Sequence, residues 1–175
     1  RAGMKSAHRQ AARAKRQRAH LVTTYNLLDT LFSSPDQPMP AEKRRHQLTR
    51  MYGGLHALET AAAPTPDDWR VVSDAVNLME TLVVDMQICE DTAGLLADAV
   101  AALALAGARH LETGAPLRLD GPGISAVRAV LADYSAVLET LSERTMTECH
   151  RRTERRIAEI HAGKAMAHDV QVMAI

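Results

Sequence analysis

The sequence contains few aromatic residues and few cysteines, and each shortage argues against a class of protein. Only five of the 175 residues are aromatic, and no segment alternates apolar and polar residues over the length of a strand. A core of Ala, Leu, Val and Met at helical spacing is typical of helices packed on helices. Cys89 and Cys149 lie far apart, without zinc-site spacing or the cysteine density of a secreted disulfide scaffold. The sequence therefore predicts an all-α, cytoplasmic protein with two free thiols.

Recognisable cofactor and metal motifs are also missing. None of the eight histidines has HExxH spacing, and no Glu-x-x-His repeat of the di-iron bundles is present. The Gly-Pro-Gly at 121–123 lacks the lysine and hydroxyl residue that a phosphate-binding loop places on the following helix. The most apolar stretch, Leu95 to Ala108, contains Asp98 and is too short to span a bilayer. We therefore expect no metal, no cofactor and no membrane association, and these motifs identify no catalytic residue.

The longest apolar segment, from Thr65 to Leu111, is predicted to be the scaffold of the fold. Thr65, Pro66 and Asp68 form the pattern of a capped helix start, because a hydroxyl and a carboxylate can bind the free amide groups there. Apolar residues then recur every three or four positions up to Met86. Nothing after Glu90 forces a turn, so the segment is either one kinked helix or two helices.

Three further helices are predicted around this scaffold. They run from Lys5 to Ser33, from Ala41 to about Ala62, and as one long helix from Ile124 to His161. The pair Gly53-Gly54 in the second helix indicates a close approach of another backbone. The fold class is therefore an all-α bundle of four or five helices with long first and last helices. We divide it into a basic helical arm (1–20), the bundle (21–162) and a tail (163–175).

Self-association is expected through the apolar half of the scaffold or through a seam on the long last helix. The seam residues alternate spacings of three and four in the manner of a coiled coil. They are Ile124, Val127, Leu131, Tyr134, Leu138 and Leu141. The sequence therefore predicts a homo-oligomer.

Charge is strongly segregated along the chain, although the formal net charge is zero. Residues 1–50 carry 11 Lys or Arg and 3 Asp or Glu, residues 51–140 carry 4 and 13, and residues 141–175 carry 6 and 5. A basic segment of this kind folds onto acidic residues of its own assembly or faces an anionic partner. The Ala- and Arg-rich composition is typical of a bacterial or phage protein from a GC-rich genome.

The leading hypothesis is a non-enzymatic protein that binds DNA or RNA through its basic N-terminal helix. Lysine and arginine side chains on a helix can neutralise phosphates and release counterions. The candidate nucleic-acid-binding residues are Arg9, Arg13, Lys15, Arg16, Arg18, Lys43, Arg44 and Arg45. The alternative is a structural or interaction protein, such as an assembly or inhibitor subunit, whose basic helix docks onto an acidic protein surface.

A third hypothesis is a ribonuclease. Arginine followed after four to six residues by histidine resembles the motif of the all-helical HEPN ribonucleases, in which imidazole acts as acid or base while guanidinium steadies the phosphate. Several pairs fit this spacing: Arg50 with His56, Arg144 with His150, Arg156 with His161, and further pairs in the basic arm. A second basic ridge, Arg151, Arg152, Arg155 and Arg156, is interleaved with Glu148, Glu154 and Glu159, which favours a self-compensated, solvated face.

Overall fold

A computed structural model describes residues 37–162, and the described part of the chain is all-α. About 77% of these residues are helical and none of them forms a strand. The chain divides into two compact units after Ser33, and the described residues all belong to the second unit. The helices are α1 (Ala41–Thr60), α2 (Pro66–Glu80), which continues into a π-helical turn (Thr81–Asp85), α3 (Leu96–Thr113), α4 (Gly121–Thr140) and α5 (Glu143–His161). The predicted arm, the Lys5–Ser33 helix and the tail lie outside the described residues.

Helix α2 begins where the capping pattern predicts. The Thr65 hydroxyl accepts a hydrogen bond from the Asp68 amide at 3.2 Å, and the Asp68 carboxylate accepts one from the Thr65 amide at 2.9 Å. Pro66 occupies the first helical position, where its missing amide proton costs nothing. The predicted capped start is confirmed.

The scaffold segment is two helices, α2 and α3, separated by a loop. The π-helical turn follows α2 directly, and Gln87 then adopts a left-handed conformation with φ of 52°. The carboxylate of Asp91 accepts hydrogen bonds from the amides of Leu95 and Leu96 at 3.2 and 2.9 Å. These bonds satisfy free donors at the start of α3 and fix the point at which the helix resumes.

The single long helix predicted from Ile124 to His161 is wrong, because Leu141 leaves the helix with φ −75° and ψ 140°. The Ser142 hydroxyl then caps α5 by accepting a hydrogen bond from the Thr145 amide at 3.1 Å. The broken helix gains hydrogen bonds from a distant segment: Met39 N donates to Leu141 O, and Glu143 N donates to Gln37 O, both at 3.2 Å. Tertiary bonding therefore replaces the helical bonds lost at the break.

The core is formed by the apolar faces of all five helices. The Trp69 indole is buried and donates to the backbone oxygen of Leu103 at 3.1 Å. The predicted seam from Ile124 to Leu141 lies in this core, so intramolecular packing occupies it. The homo-oligomer prediction therefore rests on other surfaces. No helix within the described residues is long and apolar enough to cross a membrane.

The two glycines of α1, Gly53 and Gly54, have different surroundings. A Cβ atom at Gly54 would lie 2.8 Å from the Asp68 carbonyl oxygen and 3.2 Å from Cγ2 of Val72, so α1 and α2 approach closely there. At Gly53 such an atom would have no neighbour within 4 Å in the part of the chain that the structure describes. The predicted close approach is confirmed at Gly54 alone, and Gly53 faces open space.

Candidate nucleic-acid interface

The described candidate residues, Lys43, Arg44 and Arg45, lie together in the first turns of α1. Pro40 precedes the helix, and the helix-favouring run that follows extends it without interruption. Lys43 forms an ion pair with Glu143 at the start of α5. In the described part of the chain, no carboxylate lies within 4 Å of the guanidinium groups of Arg44 or Arg45. The other five candidates, Arg9, Arg13, Lys15, Arg16 and Arg18, lie outside the described residues.

A shallow groove runs along α1 beside these arginines. Arg45, Thr49 and Tyr52 follow one another at spacings of four and three residues, so they lie on one face of the helix. Tyr52 is 41% exposed. Arg44, Leu48 and Gly53 also line the groove, and Glu42 places one acidic group at its N-terminal end. The groove therefore combines two cations and an aromatic ring on one accessible helix face.

The second basic ridge, on α5, is largely neutralised by acids. The Nε atom of Arg152 donates to Glu148 at 2.9 Å, and its Nη1 atom donates to Asp85 at 3.4 Å. Arg151 lies 3.5 Å from Glu148, and Arg156 donates to Glu80 at 2.9 Å. The self-compensated interpretation of this ridge is thus confirmed for Arg151 and Arg152, which pair with Glu148, whereas Arg156 pairs with the buried Glu80 of α2. Two of the acids, Asp85 and Glu80, come from α2 and the π-helical turn, which sequence spacing did not indicate.

A buried polar cluster joins α2 and the π-helical turn to α5. The side chain of Glu80 is only 4% exposed, and burial raises its pKa to about 7 although Arg156 acts to lower it. The hydroxyls of Thr81 and Thr153 lie 2.6 Å apart in the core. The Cys149 thiol donates to the Leu78 carbonyl, and burial raises its pKa to about 12, so this cysteine is a poor nucleophile. Sequence reasoning missed Glu80, because the arginine that it binds, Arg156, lies 76 residues away along the chain.

Two of the Arg–His pairs lie on helices of the described residues at a spacing that keeps the two side chains apart. Residues six apart on a helix project about 120° apart, which separates Arg50 from His56 and Arg144 from His150. Burial lowers the pKa of His150 to about 4, so this imidazole is neutral near pH 7. The Arg156 guanidinium is bonded to Glu80.

Residues 37–162 contain no candidate metal-binding site. No group of three or more His, Cys, Asp or Glu side chains there has a geometry that could hold an ion. Comparisons with models of protein families, with curated proteins and with solved structures find no match to this chain.

Proposed function

We propose that this protein is a non-enzymatic nucleic-acid-binding protein that contacts phosphates through its basic N-terminal residues and the start of α1. The observation that carries the proposal is the pair Arg44 and Arg45, which has no carboxylate partner among the described residues and borders an exposed aromatic ring. The arginines of α5, in contrast, are mostly paired.

Charge and geometry support the same ligand. The guanidinium group offers planar, paired donors that match phosphate oxygens, and it keeps its charge at every physiological pH. Residues 1–50 have an excess of basic over acidic side chains, 11 against 3. An anionic polymer satisfies such an excess through many contacts at once, and each contact releases counterions. The proposal therefore requires binding that weakens steeply with salt.

The test is fluorescence anisotropy with labelled random-sequence single strands and duplexes between 50 and 200 mM salt. The double variant Arg44→Ala with Arg45→Ala should bind more weakly, and its salt slope should fall by about 1.8 on duplex or about 1.4 on single strands. The matched control is Arg151→Ala with Arg152→Ala, which removes the same charge from ion-paired positions on α5. This control should bind like the unmodified protein.

Two outcomes contradict the proposal. One is undetectable affinity for both kinds of nucleic acid at 50 mM salt. The other is an equal loss of affinity in the α1 and α5 double variants, because nonspecific charge would then explain the binding.

The second candidate is a structural or protein-interaction subunit, for example an assembly or inhibitor subunit, whose basic helix docks onto an acidic protein surface. The observation favouring it is the exposure of two leucines on α3, Leu105 at 67% and Leu111 at 62%. Light scattering at two salt concentrations, with and without nucleic acid, separates the candidates. Salt-sensitive self-association without nucleic-acid binding supports the second.

A further inference from the structure

Tyr52 differs from the other aromatic residues in the described part of the chain. Trp69 and Tyr134 are fully buried, and each makes a hydrogen bond in the core, to Leu103 and with Gln47 respectively. Tyr52 is 41% exposed on the groove side of α1. Of the three aromatic residues within 37–162, Tyr52 is therefore the one whose ring a ligand can reach.

The groove that contains Tyr52 is lined by small and polar side chains as well as by the ring. Gly53 also lines the groove, and among the described residues no atom lies within 4 Å of the place where its side chain would begin. Arg45 lies on the same face two turns earlier, about 10 Å along the helix axis. Thr49 lies between them and has a small, polar side chain. An aromatic surface and a cation are thus aligned along one open groove.

We propose that this face of α1 binds single-stranded nucleic acid, with an unpaired base stacked on Tyr52 and neighbouring phosphates held by Arg44 and Arg45. The inference rests on the proposed function and specifies its ligand. Single-strand binders combine a cationic groove that follows the backbone with aromatic rings on which bases stack. In a duplex the base faces are already stacked on each other and only their edges are reachable, so the ring gains nothing there.

The test compares labelled oligo(dT), oligo(U) and a random duplex by anisotropy with Tyr52→Leu and Tyr52→Phe. Tyr52→Leu should lower affinity for both single strands about tenfold and leave duplex affinity unchanged. Tyr52→Phe keeps the ring and should bind like the unmodified protein. Similar losses on oligo(dT) and oligo(U) support stacking on the base face, which both oligomers present, whereas a loss on one alone contradicts it.

A second variant, Gly53→Leu, places a bulky side chain in the groove without removing a binding group, because Gly53 lines the groove. It should also weaken single-strand binding, and far-UV circular dichroism should remain unchanged because position 53 is open. Unchanged single-strand affinity in Tyr52→Leu, or an equal loss on the duplex, overturns the inference. If the Arg44 and Arg45 variant still weakens binding in that case, the proposed function stands; absence of any binding overturns both.

Discussion

Helices α1 and α5 both carry clustered arginines, but their charges have different surroundings. On α5, Arg152 and Arg156 reach Asp85 and Glu80 on the neighbouring segment, and Glu148 on α5 itself completes the pairing. On α1, Arg44 and Arg45 line an open groove together with Glu42, but no carboxylate of the described residues lies within 4 Å of either guanidinium group. The number of basic residues in a segment therefore does not measure the positive charge that a ligand meets. That positive charge depends on how close the nearest carboxylate lies in the folded structure.

The largest expected effect comes from breaking the buried pair on α5. Arg156→Ala should lower the free energy of unfolding by about 3 kcal/mol, because it leaves Glu80 buried without its cation. Because the pKa of Glu80 is raised to about 7, part of this side chain is neutral at pH 7. The loss of stability should therefore lie at the lower end of the range for breaking a buried ion pair. Urea denaturation at pH 7 measures it. The control, Arg155→Ala, removes an exposed arginine and should change stability by less than about 0.5 kcal/mol; equal losses would contradict the distinction between buried and exposed charge.

The pH dependence of stability tests the same pair in another way. The pKa of Glu80 is raised from 4.5 to about 7 by burial, so the folded state binds more protons than the unfolded state between these values. Stability therefore falls as pH rises from about 4.5 to about 7, by roughly 2 to 3 kcal/mol from this group.

His150 opposes this trend, because burial lowers its pKa to about 4 and its contribution rises with pH up to about 6.5. The quantity to measure is therefore the difference between the unmodified protein and Glu80→Gln across the window. A difference that does not change with pH would contradict the raised pKa.

The glycine pair tests which side of α1 is accessible. Gly54→Ala should destabilise the protein by about 1 to 2 kcal/mol, because the new Cβ atom meets the Asp68 carbonyl oxygen at 2.8 Å. Gly53→Ala should stabilise it by roughly 0.5 to 1 kcal/mol, since position 53 is open and alanine favours helix. Thermal denaturation of both variants provides the measurement. Destabilisation by both would mean that the groove side of α1 is also packed.

The smallest expected effect concerns Lys43, the one candidate cation of α1 with a carboxylate partner. Lys43→Ala should change stability by less than about 1 kcal/mol, because the pair with Glu143 is partly exposed. The same variant should lower affinity for nucleic acid less than Arg45→Ala does, since Glu143 already neutralises the lysine. A larger loss for Lys43→Ala would contradict the division between paired and unpaired cations.

Local signals in the sequence predicted the helical class and several boundaries. The Thr65–Asp68 capping box predicted the start of α2, and the predicted start of the second helix at Ala41 matches that of α1, which follows Pro40. Each of these features acts within a few residues of the helix end. For that reason they can be interpreted without knowing the rest of the fold.

The missed features depend on residues that are distant in the sequence. The break at Leu141 lies within a regular apolar seam, and the segment that pairs with it lies about a hundred residues earlier. The Glu80–Arg156 pair likewise joins two helices that periodicity alone does not bring together. For the candidate site, charge composition indicated Lys43, Arg44 and Arg45. Only the fold separates the paired lysine from the two arginines and places Tyr52 beside them.

The short antiparallel contact between Gln37–Met39 and Leu141–Glu143 has a consequence for folding. It closes a loop of about a hundred residues, so its entropic cost is recovered only after the intervening helices have packed. We therefore expect the amide protons of Met39 and Glu143 to acquire protection from exchange late during refolding, after those in the centres of α2 and α4. The contact joins the segment before α1 to the connection between α4 and α5, so its formation should be among the last steps of folding.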